Sequence, residues 1–122
     1  MPGDPDEGLL RQISELVESA EHLRDALARY ATSCGHLAEL VQQGTGAIEA
    51  LAQIGAPQLR PELTDALDQF AGARHGVRVA ITATALREGA SISDVGRALN
   101  ISRQLAHRIA NDVGRQPPGT PH

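Results

Sequence analysis

Five side chains able to make directional hydrogen bonds, Arg103, Gln104, His107, Arg108 and Asn111, recur at steps of one and three near the C-terminus. On a helix those steps gather them on one face. The chemistry they offer is recognition, not bond making. A guanidinium is a planar fork that fits paired acceptors such as O6 and N7 of guanine, and a Gln carboxamide matches N6 and N7 of adenine. Ala106 and Ile109 supply an apolar side to the same segment, so one face can pack while the other stays free to be read.

Residues that could support catalysis or metal binding are scattered by comparison. His22, His36, His75 and His107 lack ligand spacing, and Cys34 and His36, two residues apart, point to different sides of a helix. Glu15, Glu18 and Glu21 fall on the outer side of the first predicted helix, where solvation explains them. Gly44, Thr45 and Gly46 make a flexible corner and no phosphate-binding loop. No enzyme activity, cofactor or metal is expected. Cys34 is the single cysteine, so no internal disulfide can form.

The elements that must position the five side chains lie in EGASISDVGRALNISRQLAHRIAN, residues 88–111. Ser91 with Asp94 three residues on forms a capping-box pattern and predicts a helix over 92–99. Asn100 tolerates the left-handed conformation and marks its end. Ile101 is an apolar plug, and Ser102 caps a second helix over 103–113. Ile92, Val95, Leu99, Ile101, Ala106 and Ile109 are the predicted core, shared with a preceding Arg-bearing helix that ends around Arg87.

The run VGRALNISRQLAHRIA resembles the helix-turn-helix of bacterial DNA-binding proteins, and is most similar to the type that ends resolvases and invertases and recurs in small transcriptional regulators. The likeness covers about 24 residues, or about 40 if the segment 74–87 is the first helix of a trihelical unit. Gly96 stands where Ala is usual, Asn100 where Gly is usual and Ala106 where Val or Ile is usual, which predicts looser packing between the two helices. No resolvase-type catalytic domain precedes the motif, so recombination is not implied. What the resemblance implies is a second helix that enters the major groove by its N-terminal part. Arg103, Gln104, His107 and Arg108 then take the base-facing positions, with Asn111 further along the same face, and Ser91, Arg97 and Ser102 touch phosphate.

Composition narrows the rest. The chain has 122 residues, too few for a large two-domain enzyme, and carries a net charge of −4. That charge hides an asymmetry: residues 1–73 hold 4 Arg and 12 acids, net −8, whereas residues 74–122 hold 7 Arg and 3 acids, net +4. A polyanion would be repelled by the first part and attracted by the second. All the basic residues are Arg. No run approaches the roughly 18 apolar residues of a membrane span, and the acidic, Pro/Gly-rich start lacks the features of a secretory signal. The expected location is cytoplasmic, associated with the nucleoid.

The N-terminal half reads as a heptad helix. Leu9, Ile13, Leu16, Ala20, Leu23, Leu27, Tyr30, Cys34, Leu37 and Val41 recur in steps of four and three. A helix over 9–43 would be about 52 Å long and needs its stripe covered. Either it folds back as a hairpin with a corner near 44–46, or it pairs with a second protomer, and the dimer is favoured because it lets two recognition helices read a two-fold site. Leu9, Ile13, Leu16, Leu23, Leu27, Tyr30, Leu37 and Val41 are the predicted dimerisation seam. Leu10, Val17, Ala26, Ala31, Ala38 and Leu40 widen it beyond what a two-stranded zipper requires, which favours a bundle. Pro61 predicts the start of another helix, continued by Leu63, Leu67, Phe70, Val77 and Ile81 as one helix or two.

The sequence therefore predicts an all-α protein: a disordered acidic N-terminus (1–8), a helical dimerisation or coiled-coil region (9–60), a connector with a trihelical helix-turn-helix unit (61–113) and a disordered tail (114–122). The expected function is sequence-specific binding of double-stranded DNA as a dimeric transcriptional regulator, with the acidic region free to contact a protein. The alternative is an interaction adaptor whose C-terminal unit only packs.

Overall fold

A computed structural model describes residues 6–115. All the regular structure in them is helical: α1 (Glu7–Gln42), α2 (Ala47–Gln53), α3 (Ala56–Arg87), α4 (Ile92–Leu99) and α5 (Arg103–Arg115). The chain divides into two compact units, one made of residues 17–72 and the other of the residues before and after them. No helix among the described residues is long and apolar enough to cross a membrane.

The helices end where their residues dictate. Three of them, α1, α3 and α4, close by the same device, in which the second residue past the cap donates to a carbonyl five positions back. Thr45 donates to Leu40, Ala90 to Ala85 and Ile101 to Gly96. The residue before each donor takes a left-handed conformation: Gly44 at φ +88°, Gly89 at +94° and Asn100 at +55°. The corner expected near 44–46 is thus a helix stop set by Gly44. α3 begins at Ala56, five residues before the start predicted from Pro61, and runs on to Arg87 as one helix through Gly72 and Gly76. Pro61 sits inside it, where its missing N–H leaves the Pro57 carbonyl without a helical donor.

α1 starts at Glu7, two residues before the predicted boundary. Asp6 caps it, accepting from the Leu9 amide at 3.0 Å through Oδ1. Its other oxygen, Oδ2, accepts from Thr84 Oγ1 at 2.6 Å and from Arg87 Nη2 at 2.7 Å, so the cap also ties α1 to the end of α3. Residues 6–8 are therefore structured, while the remainder of the predicted disordered N-terminus, 1–5, lies outside the described residues. α5 likewise continues two residues past Val113, and the rest of the predicted tail, 116–122, also lies outside them.

Burial along α1 follows a register that only half matches the predicted seam. Leu9, Gln12, Leu16, Ser19, Leu23, Ala26, Ser33, Leu37 and Leu40 are buried or half-buried by the chain itself. Leu9, Leu16, Leu23 and Leu37 belong to the predicted seam, but Ile13, Leu27, Tyr30 and Val41 stay exposed. Ser19, Ala26 and Ser33 in the covered stripe are small, and small residues let a second helix axis come close. In unit 17–72 the helices α1 and α3 meet at an Arg29–Glu62 ion pair of 2.7 Å, half-exposed on both sides.

Candidate nucleic-acid interface

The site is built on α4, a three-residue turn and α5. α4 carries the predicted capping box: the Asp94 amide donates to Ser91 Oγ at 3.0 Å and the Ser91 amide donates to Asp94 Oδ2 at 2.9 Å. Asp94 Oδ1 accepts from Arg97 Nη2 at 2.6 Å. These donors, led by the Ser91 amide, hold the Asp94 carboxyl below the usual aspartate range. Asn100 then turns the chain at φ 55°, ψ 47°. Ser102 caps α5, its Oγ accepting from the Leu105 amide at 3.0 Å.

Close packing fixes the angle between the two helices. Val95 and Gly96 of α4 are buried, as are Ala106 and Ile109 of α5. A Cβ placed on Gly96 would lie 3.4 Å from Ala106 Cβ and 3.7 Å from the Ile101 carbonyl oxygen. The small residues at 96 and 106 therefore produce a close approach instead of the looser contact expected from them. α3 contributes Val79 and the fully buried Thr82, whose hydroxyl donates to the Arg78 carbonyl at 2.7 Å. His75 Nε2 of α3 lies 3.0 Å from Asp112 Oδ2 of α5, an ion pair only when the imidazole is protonated.

With Ala106 and Ile109 turned inward, the opposite arc of α5 is open. Arg103, Gln104, His107, Arg108 and Asn111 are all exposed, spread over an arc of about 140° at 3.6 residues per turn. Among the described residues no carboxylate pairs with Arg103 or Arg108, whereas Arg87 is held by Asp6 and Arg97 by Asp94. Ser93, Gly96, Arg97, Asn100, Ile101 and Arg103 line a shallow concavity of about 470 Å³ at the turn, which brings two guanidinium groups to one rim. The predicted phosphate ligands Ser91, Arg97 and Ser102 are exposed too, but each already serves a cap or its partner.

Two features of this unit escape sequence reasoning. The Asp6–Thr84–Arg87 cluster joins residues 78 and 81 positions apart, and only its capping half has a local signature. The His75–Asp112 contact has none. No group of three or more His, Cys, Asp or Glu side chains that could hold a metal ion occurs among the described residues. Comparison with protein families, with curated proteins and with solved structures finds no match to this chain.

Proposed function

We propose that this protein binds double-stranded DNA sequence-specifically through α4 and α5, as a dimeric transcriptional regulator that acts by occupancy and performs no bond chemistry. The observation that carries this reading is the division of α5 into a packed side, Ala106 and Ile109, and an open arc of Arg103, Gln104, His107, Arg108 and Asn111. A helix whose Arg103 and Arg108 meet no carboxylate among the described residues suits the major groove, where base edges present fixed donor and acceptor pairs. Arg97 lines one concavity with Arg103, and Ser102 directly precedes α5; these, with Ser91, are the residues that would meet phosphate. Exchanging its intramolecular carboxylate for a phosphate oxygen keeps the Arg97 guanidinium charge-paired.

The competing reading is an adaptor that contacts only protein, and the apolar side chains exposed on α1 favour it. Salt separates the two. Duplex affinity through phosphate neutralisation falls linearly on a log–log plot against salt concentration, with a slope of about −0.9 per phosphate contact. Arg108→Ala should cost about 1 to 3 kcal/mol on a selected duplex and blunt discrimination at one base pair, whereas Arg97→Ala should weaken all duplexes alike. Equal losses for both variants on selected and scrambled duplexes would remove the assignment.

A further inference from the structure

Residues 17–72 form a unit with few fully buried apolar side chains. Its fully covered apolar side chains are three alanines, Ala26, Ala50 and Ala66, with Leu40 as the single large one. Val17, Leu27, Val41 and Leu67 are about half exposed, at 51%, 46%, 55% and 47%. Leu23, Leu37, Ile54, Leu59, Leu63 and Phe70 are half-buried, and a small unit buries a smaller share of its surface than a large one, so covering the exposed aliphatics with a second surface would add to its main stabilising term.

We propose that this surface is a second copy of the same chain, laid antiparallel along α1, so that α1 of each copy supplies half of a two-fold helical seam. The proposal deepens the dimeric part of the proposed function and is independent of its DNA-binding part. The stripe concerned lies beside the one covered within the chain. Steps of three and four from Leu10 to Val41 meet an apolar or small residue at every position except Arg24. This is a second seam of knobs, interrupted at Arg24 and one helix position round from the first.

The stripe is complementary to itself when reversed. With the two-fold axis between residues 25 and 26, Leu10 faces Val41, Ile13 faces Ala38 and Val17 faces Cys34 of the other copy. Charge selects this arrangement over the parallel one. In a parallel, in-register pair the lone cation Arg24 would oppose its own counterpart, a like-charge contact in a desolvated seam. In the antiparallel pair Arg24 faces Leu27 and lies about 3 Å in axial rise from Asp25 of the other copy, so the Arg24–Asp25 pair seen at 3.4 Å within one chain can be exchanged across the axis.

Length gives the scale. Residues 10–41 extend about 47 Å, and a helix is about 10 Å wide, so pairing removes on the order of 1,000 Å² from water in total, the lower limit for a specific interface. Leu51 of α2 and Leu67 of α3 line a groove with Tyr30 and Cys34 of α1 and extend the contact beyond the helix pair.

The test uses the full chain without DNA. Sedimentation should give a dimer at micromolar concentration. Leu27→Glu, a position already exposed in the single chain, should give a monomer whose helical circular dichroism is retained. Val17→Cys, oxidised with diamide alongside the native Cys34, should give a disulfide-linked dimer on a non-reducing gel, while the unsubstituted chain should give none. A monomer at all concentrations, leaving the face to some other protein, overturns the proposal. So does a linked dimer of the unsubstituted chain, which requires parallel helices, or a dimeric Val17→Cys chain that cannot be linked. A chain that dimerises as described yet retains no duplex overturns the DNA-binding reading instead.

Discussion

Substitution of Gly96 probes the contact that sets the angle of α5. Gly96 is inside α4, where replacing Gly by Ala gains about 0.5 to 1 kcal/mol by reducing the freedom of the unfolded chain. The new methyl would sit 3.4 Å from Ala106 Cβ and 3.7 Å from the Ile101 oxygen, at the near edge of ordinary van der Waals contact. It fits without displacing backbone, so Gly96→Ala should raise stability by roughly 1 kcal/mol or less. Gly96→Val places branched methyls in space that Ala106 and the turn already fill, and overpacking of this kind costs about 1 to 3 kcal/mol. Urea unfolding followed by circular dichroism measures both. Duplex affinity should follow the same order, because forcing α4 and α5 apart moves Arg103 and Arg108 relative to Arg97. A Gly96→Val chain as stable as the original, or a Gly96→Ala chain destabilised by more than about 1 kcal/mol, would show that the two helices do not meet as described.

Three other outcomes follow from the geometry. Asn100 holds a left-handed conformation without a glycine, so Asn100→Gly should leave urea stability unchanged or slightly raised, and Asn100→Ala should lower it by about 1 kcal/mol. The Asp6 carboxyl is held below the ordinary aspartate range chiefly by the Thr84 hydroxyl, then by the Leu9 amide and Arg87, and Asp94 by its cap and Arg97. Both carboxyls lose protons more readily in the folded chain. Their contribution is therefore complete above about pH 4 and is lost as pH falls through the depressed folded values. Urea midpoints measured from pH 7 down to pH 3 should fall at the acid end, and the fall should be shallower for Asp6→Asn and Asp94→Asn combined. Thr84→Val removes the largest of the Asp6 contacts and should likewise make the acid fall shallower.

The parts of the fold legible in the sequence are those governed by neighbours in the chain. Ser91, Asp94, Asn100 and Ser102 act on backbone groups within five residues, so the two C-terminal helices and their turn follow from residue type alone. The same holds for Gly44 as the end of α1. The register of α1 was only half legible. Ile13, Leu27 and Val41 share the heptad with Leu9, Leu16, Leu23 and Leu37, yet the chain covers the stripe in which those leucines alternate with Ser19, Ala26 and Ser33, which permit closer approach. Pattern reading weighs hydrophobic surface and misses the gain from small residues at a helix crossing. Pro61 misled for a related reason: proline favours a first turn, but α3 tolerates it further in, one turn after Pro57. The contacts of Asp6 with Thr84 and Arg87, and of His75 with Asp112, depend on tertiary proximity and have no local signature. On α5 the exposure of Arg103, Gln104, His107, Arg108 and Asn111 is legible in the sequence, and the tight Gly96–Ala106 approach is not.

The central claim, that the open arc of α5 reads DNA, is tested most directly by selecting duplexes from a randomised pool with the full chain and titrating the selected duplex over a range of salt concentrations. The enriched site should be two-fold symmetric, and affinity for it should fall steeply with salt. A loss of about 1 to 3 kcal/mol confined to single base positions is expected for Arg103→Ala or Arg108→Ala. A pool left unenriched, or weak retention that is indifferent to salt and to both substitutions, would contradict that claim.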